Sequence, residues 1–79
     1  MTIKRDNFKL SDHGYKRLIE HGLITENTPK YKAHRVVWQQ IRNSREIITQ
    51  TTIYYQLNDG TEYRFDPKNF IMITHIQQI

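Results

Sequence analysis

An α+β domain is the architecture this sequence predicts: a short N-terminal strand and two helices packed on a three- to four-stranded antiparallel meander. Three observations lead there. Residues 11–23 open on capping side chains, carry apolar residues at helical spacing and close on a glycine. Residues 28–41 repeat the capping residue and the helical spacing around a proline, without a closing glycine, and from Ile47 onward apolar residues alternate at period two between turn signals. With 79 residues the chain makes one domain, 1–79, with a modest core, and the lack of cysteine removes a disulfide framework and thiolate metal sites.

The elements follow in order. Asn7-Phe8-Lys9-Leu10 alternates polar and apolar side chains, as a short edge strand does. Ser11 or Asp12 caps the first helix, and Gly22 ends it at the position after the C-cap. Tyr15, Leu18 and Ile19 face the core with Leu23 closing the end, which leaves His13, Lys16, Arg17, Glu20 and His21 for the outer face. Thr28 reads as the N-cap of the second helix and Pro29 as its first residue, where the missing N–H costs nothing. Tyr31, His34, Val37, Trp38 and Ile41 then form a helical stripe in which His34 is structural. A rival reading makes residues 35–41 and 46–55 the strands of a hairpin turning at Asn43-Ser44, since Val36-Val37-Trp38 has strand propensity. The position of Pro29 and the lack of a glycine at that turn favour the helix.

Ile47, Thr49, Thr51, Ile53, Tyr55 and Leu57 share one strand face, and Ile48, Gln50, Thr52, Tyr54 and Gln56 the other. Asn58-Asp59-Gly60 is a strong hairpin signal, Glu62 to Asp66 returns, and Pro67-Lys68-Asn69 turns again. Phe70 to Ile76 is apolar on both faces, as in a central, covered strand, and places His75 beside Ile71 and Ile73.

Twelve Lys and Arg against eight Asp and Glu give a formal charge of +4, and the isoelectric point is near 9.6. That balance favours RNA or another polyanion as partner. No stretch approaches the roughly 20 apolar residues of a membrane span, and the N-terminus lacks an apolar run, so a cytoplasmic protein without membrane association is expected.

Chemistry-bearing residues gather most densely on the first helix. His13, Arg17 and His21 stand at i, i+4 and i+8, in one row with Lys16 and Glu20 alongside. Such a row can hold an RNA phosphate on Lys16 and Arg17 and use a histidine as acid or base; a solvated face with a Lys16–Glu20 ion pair has the same appearance. His13 and His21 lie about 12 Å apart along the axis, too far for one ion, so no metal site is expected. His75 is either a partly buried histidine bonded to a carbonyl or a catalytic group at the sheet rim. Tyr54 and Arg64 project from the exposed sheet face, where aromatic and basic side chains stack and neutralise single-stranded RNA or merely brace a hairpin. No Gly-rich phosphate loop, Ser/His/Asp set or paired-carboxylate spacing is present.

The stretch Phe8 to Leu23 resembles the opening of small bacterial and phage domains grouped with the barnase, EndoU, colicin and RelE-like toxin superfamily. Those open with a strand, a His-Ala-like pair, a helix carrying Arg-Leu or Arg-Met, and then Glu-Arg-Gly-Ile. Val37 to Ile48 looks like their second helix leading into the first meander strand, and Phe70 to Ile76 like their closing strand. His21 stands where an arginine is usual, and Ile24 to Arg35 is several residues longer. The resemblance implies an RNA-directed domain, with His13 and Arg17 at the positions of the first-helix histidine and arginine.

The expectation is therefore a small RNA-binding protein of toxin-like fold, able to cleave RNA without metal or cofactor if the ribose 2′-OH is the nucleophile. His13 and His75 are the candidate catalytic residues, and Lys16, Arg17, His21, Tyr54 and Arg64 the candidate RNA contacts. The alternative is a non-enzymatic, phage-type inhibitor or regulator that binds a host or antitoxin protein, or a second copy of itself.

Overall fold

The structure, a computed structural model, describes residues 1–77. Its elements run β1 (Lys9–Leu10), α1 (Asp12–Glu20), α2 (Lys30–Ile41), β2 (Arg45–Ile48), β3 (Ile53–Gln56), β4 (Glu62–Phe65) and β5 (Ile71–Ile76). The strands form one sheet in the order β1-β5-β4-β3-β2. β2 to β5 are the antiparallel meander, and β1 lies parallel to β5 with Leu10 beside Met72. The fold is α+β, and residues 30–41 are helix rather than the first arm of a hairpin.

α1 is short and well terminated. Ser11 Oγ accepts from the Gly14 N–H at 2.9 Å, which satisfies one of the unpaired donors of the first turn. At the other end Gly22 has φ +75°. Its N–H reaches Ile19 O at 3.0 Å while that of Leu23 reaches Leu18 O at 3.0 Å. These two bonds make the Schellman closure that glycine at this place allows. The helix runs along β5 so closely that a Cβ on Gly14 would lie 2.7 Å from both Met72 O and Met72 Sδ.

α2 buries Ala33, Val37 and Ile41, one residue per turn. Two expectations for it are corrected. Pro29 is the N-cap and not the first helical residue; the Thr28 hydroxyl instead accepts from the Thr25 N–H at 3.0 Å. Tyr31 leaves the core and is 65 % exposed, because the stripe that faces the sheet passes through Ala33. His34 is structural, stacked on Phe8 with ring centres 3.8 Å apart and its Nε2 3.1 Å from Phe8 O.

The alternation from Ile47 to Leu57 does not form one strand. Thr49 turns the chain: its Oγ1 accepts from the Thr52 N–H at 3.0 Å and donates to Thr52 O at 3.0 Å. A side chain that imitates backbone bonding makes this turn without glycine or proline. The predicted turns at Asn58-Asp59-Gly60 and Pro67-Lys68-Asn69 are present. The core lies under one face of the sheet, where Ile53, Tyr55, Tyr63, Phe65 and Met72 meet Leu18, Val37 and Ile41 from the helices. A second anchor joins chain start to sheet: Tyr55 OH accepts from the Ile3 N–H at 3.1 Å and donates to Glu46 Oε2 at 2.7 Å.

β5 carries the irregularity that matters most. Arg64 pairs with Thr74 but Phe65 pairs with Met72, so Ile73 is an extra residue bulged out of the ladder. Ile73 is 42 % exposed as a result. The bulge also shifts the parity of the strand, so His75 faces inward with Met72 and not outward with Ile71 and Ile73. β5 is central but covered on one face only.

Candidate functional site

The inward turn of His75 builds the most unusual polar arrangement in the molecule. The side chain is 2 % exposed, packed under Tyr63 with ring centres 4.4 Å apart. Its Nδ1 lies 2.7 Å from Nδ1 of His21, the C-cap residue of α1. One ring donates and the other accepts, so a single proton bridges the pair. Nε2 of His75 is buried with no hydrogen-bond partner among the described residues. Burial, then the neighbouring His21, push His75 down to about 4, against a weaker upward pull from Asp59. His75 is therefore a neutral imidazole near pH 7.

A cleft of about 340 Å³ opens over this pair, lined by Arg17, His21, Thr74, His75, Ile76 and Gln77. Arg17 forms its wall on the α1 side. Its Nη1 pairs with Glu20 Oε2 at 3.2 Å and its Nε lies 3.4 Å from His13 Nε2. Glu20 thus pairs with Arg17 and not with Lys16, and Lys16 is exposed with no ion pair among the described residues. Gln77 closes the far end, its Nε2 donating to His21 O at 3.5 Å.

Of the residues expected to act together, the structure joins Arg17, His21 and His75. His13 is exposed on the first turn of α1 and does not line the cleft, so it makes no pair with His75. His75 binds neither a backbone carbonyl nor an open rim; its partner is His21, which turns off the outer helix face toward β5. Tyr54 and Arg64 lie on the helix-free face of the sheet, as expected, and directly opposite each other in register. The Arg64 guanidinium carbon sits 5.3 Å from the Tyr54 ring centre. Its Nε also donates to Glu62 Oε2 at 2.8 Å. Burial works to raise Glu62, but bonds from Gln56 and Arg64 outweigh it and hold the carboxyl below its ordinary value. That pair braces the hairpin and stands apart from the His21–His75 cleft.

Among the described residues no three His, Asp or Glu side chains gather to hold a metal ion. The arrangement suits a different task. Arg17 and His21 line the cleft with groups able to donate to an anion, Thr74 and Gln77 add neutral polar groups, and the His75 ring holds that of His21. His75 is a positioning residue here, since its own ring is nearly enclosed. No family model, curated protein or solved structure matches this chain.

Sequence reasoning missed the partnership of His21 with His75. Its one visible trace was the place of His21 beside the helix-ending Gly22; the bulge that swings His75 inward has no signature in the residues.

Proposed function

We propose that this protein is a small RNA-binding module that takes a strand phosphate at the cleft between α1 and β5. The observation that carries the reading is that Arg17 and His21 line one cleft, with the His21 ring held by a buried neutral histidine. A guanidinium and an imidazole lining one cleft suit phosphate oxygens, and the +4 charge of the chain favours polyanions over neutral ligands. The resemblance to RNA-directed toxins points to the same partner and belongs to the proposal.

Binding is favoured over cleavage. Metal-free attack by a 2′-OH needs one group to take a proton and another to give one, each within reach of the reacting atoms. Here the two clustered histidines are bonded to each other, and His13 stands outside the cleft.

The test is titration of labelled single-stranded RNA across a salt series. Arg17→Ala and His21→Ala should each weaken binding several-fold, and Arg17→Ala should lower the slope of log affinity against log salt by about one. Wild-type protein that leaves this RNA unbound at low salt overturns the reading. RNA fragments formed in EDTA that vanish with His13→Ala would restore a ribonuclease centred on the start of α1.

The free edge of the sheet supports a second reading. Among the described residues β2 has one neighbour, β3, and it ends in Ile48, which is 56 % exposed. An unpaired edge of this kind adds a strand from a protein partner or a second copy. Sedimentation of the RNA-free protein separates monomer from dimer.

A further inference from the structure

A second concave site lies at the other end of α1, where β1 meets the start of α2. It encloses about 400 Å³ between Phe8, Lys9, Leu10, Lys30, Tyr31 and His34. Its floor is aromatic and rigid, because Phe8 and His34 stack at 3.8 Å with ring planes 11° apart. Its rim is basic. Lys9 has no ion pair among the described residues, and Lys30 pairs only with Asp12, at 3.2 Å, through two well-exposed side chains. An exposed pair of that kind is screened and yields readily to another anion.

Tyr31 is the feature that needs explaining. Its ring is 65 % exposed at the pocket wall, and its hydroxyl has no hydrogen bond among the described residues. An aromatic ring held on the first turn of a helix, beside lysines and above an apolar floor, offers a flat face to a flat ligand. α2 adds to the positive character, since its N-cap Pro29 has no side-chain acceptor and its first turn has no acidic residue. The complementary ligand is planar, apolar on its faces and anionic at one end.

We infer that this pocket takes one unpaired nucleotide of a single-stranded RNA, its base stacked on Tyr31 and its phosphate at Lys9 and Lys30. The inference rests on the RNA-binding reading and extends it, because it requires an unstacked base where the α1–β5 cleft requires only phosphate. Base stacking on an aromatic side chain tolerates any sequence, so no base preference is expected.

The experiment compares a labelled single-stranded RNA with the duplex of the same sequence, by fluorescence anisotropy at low salt. Tyr31→Ala should weaken single-strand binding about tenfold and leave duplex binding unchanged, since stacking is lost only where a base is free. Tyr31→Phe should restore binding, because the ring and not the hydroxyl carries the contact. Lys9→Glu should weaken single-strand binding as well. Tyr31 is a surface residue, so folding of these variants is secure and circular dichroism checks it. Wild-type binding that survives Tyr31→Ala overturns this inference and leaves the cleft reading standing, as does an equal loss on duplex. Tyr31-dependent dimerisation without RNA also overturns it, by seating a second copy in the pocket. Failure of the wild-type protein to bind either RNA overturns both proposals.

Discussion

Replacing His75 with leucine is expected to flatten the acid limb of the stability curve. In the folded protein His75 is held at about 4, against an ordinary value of 6.5. The unfolded chain therefore takes up a proton at this residue as the pH falls through 6.5, while the folded chain stays neutral until about 4. Stability is present above 6.5, declines between 6.5 and 4, and levels off below. A separation of this size corresponds to about 3 kcal/mol. For a 79-residue domain that is a large part of the total. Among the described residues, the groups facing His75 are His21 at the C-cap of α1, Tyr63 from β4 and Asp59 from the β3–β4 turn; of these Asp59 opposes the effect. His75→Leu keeps the volume, removes the proton acceptor and deletes the orphaned Nε2, so the variant should lie within about 1 kcal/mol of wild type at pH 7. Urea unfolding followed by Trp38 fluorescence at pH 7, 5.5 and about 4 gives the difference, in which the carboxylates common to both proteins cancel. The wild-type protein should lose about 3 kcal/mol more than the variant over that range. Parallel curves would refute the reasoning, by showing that His75 titrates as freely folded as unfolded.

Two further substitutions probe the frame that holds the site. Gly14→Ala would push a Cβ to 2.7 Å from the Met72 carbonyl oxygen. The overpacking should outweigh the roughly 1 kcal/mol that alanine gains in helix propensity, for a net loss of about 1–2 kcal/mol in thermal or urea unfolding. Tyr55→Phe strips the acceptor from the Ile3 N–H and a donor from Glu46. It should cost about 1–3 kcal/mol, read from the urea midpoint, with the Glu46 carboxyl moving up as it loses the bond that helps hold it down.

The parts of the fold legible in the sequence were those set by local chemistry. Ser11, Leu18 and Gly22 announce a capped helix, and Asn58-Asp59-Gly60 announces a hairpin, because caps and turns depend on neighbours a few residues away. Where the outcome depended on a single hydroxyl or on register, the pattern misled. Thr49 to Thr52 reads as strand by alternation and is a turn because one threonine side chain bonds both the N–H and the carbonyl of Thr52. The candidate site suffered more. Arg17 and His21 could be placed on one helix, but the face of His75 is decided by the bulge at Ile73, a long-range adjustment between β4 and β5. A shift of one residue reverses the face of every side chain beyond it. The histidine read as either carbonyl-bonded and partly buried or catalytic at the rim is instead a buried support for a different histidine.

α1 is held on β5 at both ends, by the close approach of Gly14 to Met72 and by the His21–His75 bond. Its nine residues span about 13 Å, with Asp12 at its start paired to Lys30 of the Tyr31 pocket and His21 after its end lining the α1–β5 cleft. On the RNA-binding reading, a strand joining the two sites would pass over His13, Lys16 and Arg17 and cover roughly four stacked nucleotides. The helix would then act as a ruler whose ends are separately adjustable. Loosening the His21 end by removing His75 should weaken the phosphate contact while leaving stacking at Tyr31 intact. Combining His75→Leu with Tyr31→Ala should therefore multiply the two losses in affinity, because the sites share a strand but no side chain. A double variant no weaker than the worse single one would mean that the two contacts are lost together and do not act as separate sites.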